Sequence, residues 1–253
     1  MNRSPILKAL SSMHKSGVRF LLMGGQACVF YGAAEFSRDV DLLILVDAEN
    51  LILIRVALDE LQAAPIAVPT LEAEYLNRGH AVHFRCGAEG VAKLRIDLMS
   101  SLRGVASFED LWARRTTLEV GGEPVDILAL EDLVKAKKTQ RDKDWPMIRR
   151  LVEQSYLSRA GDASADQVDF WLRELRTPEF LAALVDEYPA LAAVRAHERR
   201  AIQAAIAHER ALVAQVLEEE ERDERRKDRE YWEPLKRELE VFRREKLRSA
   251  SGS

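Results

Sequence analysis

Two cysteines, Cys28 and Cys86, are all that 253 residues carry. They are too few for a disulfide framework or a cysteine-based zinc site, and the chain is expected to be reduced and cytoplasmic. Long apolar runs are also missing. None approaches the roughly 20 residues that cross a bilayer, so no membrane partner is expected. The segment that begins Met-Asn-Arg-Ser-Pro leads into an amphipathic stretch and does not read as a signal peptide. Net charge is small, 38 Lys+Arg against 42 Asp+Glu leaving −4. Without a general basic field, any nucleic-acid contact has to come from a local patch, such as Arg141, Lys143, Arg149 and Arg150. Familiar catalytic signatures are absent too. His197-Glu198 and His208-Glu209 lack the second histidine of a zinc-protease helix, and there is no Gly-x-Gly-x-x-Gly or Lys-Ser/Thr phosphate loop. No Gly-x-Ser-x-Gly element occurs. His14, His80 and His83 read as structural or surface residues, and Cys28 as a packed thiol.

What is present is a core-forming composition, 47% hydrophobic. Ile6, Leu7, Leu10 and Met13 predict a helix that Gly17 ends, followed by a buried strand over 18–23. Gly24-Gly25 breaks the strand, and 26–31 predicts a short helix. A second strand covers 39–46, with carboxylates at its first and third positions, and a helix covers 50–61. Strands at 81–86 and 94–99 follow, then a hairpin of 118–120 and 124–128 joined through Gly121-Gly122. From Leu130 the pattern is helical, with segments at 131–139 and 144–156. A capping box, Ser164-Ala-Asp-Gln167, opens the next helix, and Thr177-Pro178 repeats the start signal with Thr as cap.

The fold class expected is α/β: a small mixed sheet with flanking helices, then a helical C-terminal region. Three regions are drawn at 1–129, 130–194 and 195–253. The last is a charged tail, 15 Lys+Arg and 14 Asp+Glu between Arg195 and Arg248, whose balance argues against a phosphate-binding arm. Ala196-His-Glu-Arg recurs as Ala207-His-Glu-Arg, and Pro234 is expected to interrupt the run, giving two exposed helices that fold back or pair two copies of the chain.

The informative constellation is Gly24-Gly25 with Asp39, Asp41 and Asp97. Side chains at i and i+2 of a strand point the same way, so Asp39 and Asp41 share a face while Val40 turns to the core. Asp97 sits in Leu-Arg-Ile-Asp-Leu-Met, where an ionised carboxylate is costly unless paired or bound to metal. Three converging acids repel one another without cations. With two metal ions they become a clamp for phosphoryl chemistry, and Mg²⁺ takes such oxygen ligands. Glycine lets a backbone approach phosphate closely, and the helix after the turn offers unpaired N–H groups to a triphosphate.

Leu-Leu-Met-Gly-Gly-Gln-Ala, followed after a short helix by Ser-Arg-Asp-Val-Asp-Leu-Leu-Ile, resembles the signature of the nucleotidyltransferase superfamily. More narrowly it resembles the bacterial minimal branch that includes AbiEii-like and MenT-like toxins. The resemblance covers about residues 5–155. It implies that Asp39, Asp41 and Asp97 bind two Mg²⁺ ions, Mn²⁺ being the substitute. It implies that Gly24, Gly25, Ser37 and Arg38 hold the triphosphate of ATP or another NTP. A second block, residues 131–145, matches a helix that carries a phosphate-facing lysine. Lys137 fits that position best, with Lys138 one step away, and Asp144 of Lys143-Asp144 would be an accessory acid. Glu35 stands where many relatives have a basic residue. The activity implied is transfer of an NMP to an acceptor hydroxyl with release of pyrophosphate. The acceptor is RNA, tRNA ends in particular, if the protein is a toxin with a cognate antitoxin; a protein side chain or a small molecule is the other option. A catalytically silent module of the same fold, binding nucleotide or a protein partner through the tail, is the reading from another class.

Overall fold

The computed structural model describes residues 4–159 and 163–251. The chain divides into two compact units, one running to Ala136 and resuming at Tyr231, the other Lys137–Glu230.

The first unit opens with α1 (Pro5–Lys15), whose proline occupies the first turn, where a missing N–H costs nothing. Then come β1 (Phe20–Met23), α2 (Gly24–Phe30), β2 (Asp39–Ile44) and α3 (Ala48–Glu60). Asp47 caps α3 by accepting from the Asn50 amide. Asn50 itself is buried and fastens the helix to the strand ends. Its Oδ1 accepts from the Arg19 amide at 2.7 Å, and its Nδ2 donates to the carbonyls of Arg19 and Leu45. After these lie β3 (Ala64–Pro65), α4 (Ala73–Asn77), β4 (Val82–Arg85), β5 (Arg95–Met99), α5 (Phe108–Ala113), β6 (Thr116–Val120), β7 (Glu123–Ile127) and α6 (Leu130–Ala136).

Among the described residues seven strands form one mixed sheet in the order β3-β4-β5-β2-β1-β7-β6. This is the α/β architecture expected. β1, buried along its whole length, lies between β2 and β7, antiparallel to the first and parallel to the second. β2 and β5 run parallel, and β4 is antiparallel to β5. One face of this central set carries Val40, Leu42, Ile96, Leu98, Val82 and Phe84, all buried. The alternate residues at the start of β2 and along β5 are only half-buried. That pleat alternation opens one face of the sheet to function while the other holds the core.

The second unit holds α7 (Asp144–Arg159), α8 (Ala165–Glu174), α9 (Pro178–Glu187), α10 (Pro189–Arg195) and α11 (Arg200–Ile206). Ser164 and Gln167 form the expected capping box on α8. Thr177 stands at the N-cap of α9 without a side-chain capping bond; its hydroxyl donates instead to Glu153.

The tail differs from its expectation. α12 runs unbroken from Arg210 to Ser251, with Pro234 inside it. Before Tyr231 it buries Val213, Val216 and Leu217, so this stretch packs one face and is not a wholly solvated helix. Beyond Tyr231 it folds back on α4. Phe242 meets Tyr75 edge-on at 5.1 Å, and Glu238 accepts from His80 Nε2 at 2.7 Å and Arg78 Nη2 at 2.8 Å.

Candidate functional site

The parallel register of β2 and β5 pairs Asp39 with Arg95 and Asp41 with Asp97. The neighbouring registers set Met23 opposite Asp41 and His83 opposite Asp97. Because cross-strand partners share a face, Asp39, Asp41, Asp97, Arg95 and His83 all stand on the open side of the sheet.

Asp97 is the best-held of these acids. Its side chain is 13% exposed, and its Oδ1 accepts from Arg95 Nε at 2.7 Å and from His83 Nδ1 at 2.8 Å. Arg95 Nη2 also comes within 3.1 Å of His83 Nδ1. That nitrogen cannot accept from Arg95 and donate to Asp97 at once. An ionised carboxylate only accepts, so the Nδ1 proton belongs to the Asp97 bond. Burial by itself would raise the Asp97 pKa. The hydrogen bonds from His83 and Arg95, and then their charges, outweigh it and hold the carboxyl below its ordinary value. Arg95 is raised in turn, first by its bond to Asp97, against a smaller lowering by burial, with the charges of Asp97, Asp39 and Asp41 adding to the rise. One guanidinium thus answers all three acids.

The glycine turn lies against the same cluster. Gly24 has φ +68°, and a Cβ there would fall 1.8 Å from Asp41 Oδ2. Both conformation and space therefore require glycine. The Gly25 amide donates to Asp41 Oδ2 at 3.4 Å, a long bond that turns an N–H of the first turn of α2 toward the carboxylate. A Cβ at Gly25 would meet Ser37 Oγ at 2.8 Å. Ser37 Oγ in turn donates to the Asp39 carbonyl at 3.1 Å. Gly24, Gly25, Ser37, Asp39, Asp41 and Asp97 are thus brought together. Arg38 is exposed and lies 5.9 Å from the centre of the Phe36 ring.

In the other unit, α6 having ended at Ala136, the two adjacent lysines take different carboxylates. Lys137, 6% exposed, donates to Asp144 Oδ1 at 2.9 Å, and Lys138 donates to Glu174 Oε1 at 2.7 Å. Asp144 Oδ2 accepts from Thr139 Oγ1 and Arg141 Nε at 2.6 and 2.8 Å. Burial pushes the Asp144 pKa up; the charges of Lys137 and Arg141 and these bonds overcome it and bring it below its ordinary value. Burial lowers Lys138, with Glu174 partly opposing.

Arg95 and His83 were not among the residues expected at the site. The strand alternation around Asp97 carries the signal for Arg95, which stands two residues before it. His83 becomes visible only when β4 is set in register.

Asp39 and Asp41 offer, from one strand and one face, the oxygen donors that Mg²⁺ takes, and this ion is often bound through only one or two carboxylates plus phosphate. Among the described residues, however, no group of three or more His, Cys, Asp or Glu side chains is gathered closely enough to hold a metal ion. Asp97 is held by Arg95 and His83. The acid pair fits the ion; the full triad forms only if Asp97 exchanges those partners.

No family model matches the sequence, and no curated protein does. Solved structures similar to the chain include an antigenic nucleotidyltransferase-like protein from Paracoccidioides brasiliensis, with 18% identity over 75% of this chain and 91% of that one and a TM-score of 0.40. Another is a candidate nucleotidyltransferase from H. pylori, with 14% identity over 86% and 94% of the two chains and a TM-score of 0.39. Among the described residues no helix is long and apolar enough to cross a membrane.

Proposed function

We propose that the protein is a metal-dependent nucleotidyltransferase that moves an NMP from an NTP to an acceptor hydroxyl and releases pyrophosphate. The observation that carries this reading is the meeting of Gly24 with Asp41 on the face that also bears Asp39 and Asp97. A phosphate seated on that turn would lie against a carboxylate, and the two anions tolerate one another only with a cation between them.

Asp39 and Asp41 would hold Mg²⁺, with Asp97 joining them for a second ion once Arg95 releases it. The ions would neutralise triphosphate charge and make the acceptor hydroxyl easier to deprotonate. Gly24, Gly25 and Ser37 would seat the triphosphate, and Arg38 would close over it. Lys137 is the residue the resemblance gives for the charge on the departing pyrophosphate; within its own unit its ammonium is held by Asp144. In the transfer the acceptor hydroxyl gives up its proton to solvent water and its oxygen bonds to the α-phosphorus. The bond to the bridging oxygen breaks, and pyrophosphate leaves with the electron pair. As a metal ligand Asp97 would act through its charge and not as the base. RNA, tRNA ends above all, is the acceptor class the resemblance suggests.

The test is incubation with each labelled NTP, Mg²⁺ and either total RNA or total protein, followed by location of the label. Label in one fraction, abolished in Asp41→Ala, supports the reading; an Asp41→Ala protein of full activity and unchanged metal dependence rejects it.

The pairing of Asp97 with Arg95 favours a second reading. A chain that already carries its own cation among the acids is arranged to bind nucleotide without turning it over. Metal-dependent nucleotide binding with no pyrophosphate released would select that reading.

A further inference from the structure

The Lys137–Glu230 unit contains a cavity of ≈ 340 Å³ that the transfer chemistry does not use. Six cations line it: Lys138, Arg173, Arg176, Arg195, Arg199 and Lys227, against four carboxylates. Most of these cations are already satisfied. Arg199 donates to the carbonyls of Leu172 and Leu175 at 2.6 and 2.8 Å and grips Glu220 through Nε and Nη2 at 3.0 and 2.9 Å. Lys138 has Glu174, Lys227 has Glu224, and Arg195 has Asp169 and Glu198.

Arg173 has Asp169, at 2.9 Å from its Nη2. Arg176 is the least well held. It is 7% exposed, and its Nε and Nη1 are buried with no hydrogen-bond partner. The carboxylate paired with it, Glu220, is 3.6 Å from Nη1 and already bound by Arg199. Its guanidinium carbon lies 4.8 Å from the centre of the Trp145 ring. A buried cation with unsatisfied donors is costly, and a charge-assisted acceptor would recover that cost. Burial, and then the charge of Arg199, lower the Arg176 pKa, with the charges of Glu174, Glu220 and Glu221 opposing.

We infer that this cavity, which Arg176 helps to line, is a binding site for a small phosphate-bearing molecule. Phosphate matches the donors better than a carboxylate does. It carries up to two charges, and it accepts several N–H bonds at once. The volume lies within the range of small-molecule sites, about 300–1,000 Å³.

The test is calorimetric titration of the full chain, in chloride buffer of fixed ionic strength without divalent metal, with inorganic phosphate and separately with AMP. One saturable site for either probe is expected. Tighter binding of AMP identifies a nucleotide as the ligand; equal or better binding of phosphate identifies the free anion. Arg176→Gln should weaken binding at least about tenfold, equal to about 1.4 kcal/mol. Should that variant fail to fold, Arg173→Gln, at a side chain 37% exposed, carries the same test with a smaller loss. Asp41→Ala should bind as the wild type does, which separates this site from the transfer chemistry. Failure of both probes to saturate, unchanged affinity in the folded arginine variants, or loss of binding in Asp41→Ala overturns the inference.

Discussion

A methyl group at Gly24 would meet the Asp41 carboxylate 1.8 Å away, on a residue whose φ is +68°. Gly24→Ala should therefore lower stability by about 1–2 kcal/mol from conformation alone, and more as Asp41 is displaced, read as a shift in the urea midpoint. Gly25 behaves differently. Its methyl meets the Ser37 hydroxyl at 2.8 Å, so Gly25→Ala should cost about 1 kcal/mol, and adding Ser37→Ala should return most of it. A double variant no better than the single would show that the crowding lies elsewhere. Arg95 is the third residue to test. Arg95→Gln leaves Asp39, Asp41 and Asp97 without their shared cation. Its loss in metal-free buffer should be about 1 kcal/mol, since a half-exposed ion pair is partly screened. Added Mg²⁺ should raise the Tm of Arg95→Gln more than that of the wild type; equal shifts would dissociate Arg95 from the acids. The three aspartates and the glycines were legible from residue type and spacing. Arg95 and His83 were not, because a residue's value here depends on which strand lies beside it, and register is long-range information.

Among elements, the ones read most clearly were those with a long apolar period or a strong stop: α1, β1, β2, α3 and the capped α8. β3, α4 and α5 went unread because two to six residues carry no usable periodicity. α12 went wrong for a physical reason. Proline removes an N–H and crowds the preceding turn, costing about 3 kcal/mol in a helix interior. Here the helix nevertheless continues, held by buried Val213, Val216 and Leu217 before the proline and by Glu238 and Phe242 after it. Tertiary contacts have overridden local preference. Pro234→Ala should then relieve a tolerated strain, raising stability by about 1–3 kcal/mol with a small gain in helical circular dichroism. No gain would mean that the helix has bent to accommodate the ring at no cost. The loss of helix after Ala136 was likewise invisible in the sequence, and it decides which lysine meets which acid. A helix through Thr139 would have kept Lys137 and Lys138 on neighbouring faces; its early end sends one to Asp144 and the other to Glu174.

At the scale of the whole molecule, each compact unit contains a largely buried carboxylate held below its ordinary pKa, Asp97 in the first and Asp144 in the second, beside the more exposed Glu238 and Glu219 that are lowered as well. A carboxylate whose folded pKa is depressed stabilises the fold fully above its unfolded pKa of about 3.9, and that stabilisation is lost as pH falls through the lower folded value. Stability should therefore hold from neutral pH down to about 4 and then fall steeply, with contributions from both units. Urea midpoints at a series of pH values measure this directly. Asp97→Asn and Asp144→Asn should each be less stable at neutral pH, and each should flatten the acid limb, because the missing carboxylate no longer takes up a proton on unfolding. The two losses should differ in size. Asp144→Asn leaves Lys137, only 6% exposed, as an uncompensated buried charge, a cost of about 3–5 kcal/mol in comparable pairs. Asp97→Asn strands partners that are 38% and 24% exposed and can turn to water, so its loss should be the smaller. Variants that kept the wild-type acid slope would show that these two carboxylates ionise alike in the folded and unfolded chains, and that the ion pairs seen around them contribute nothing to holding either unit together.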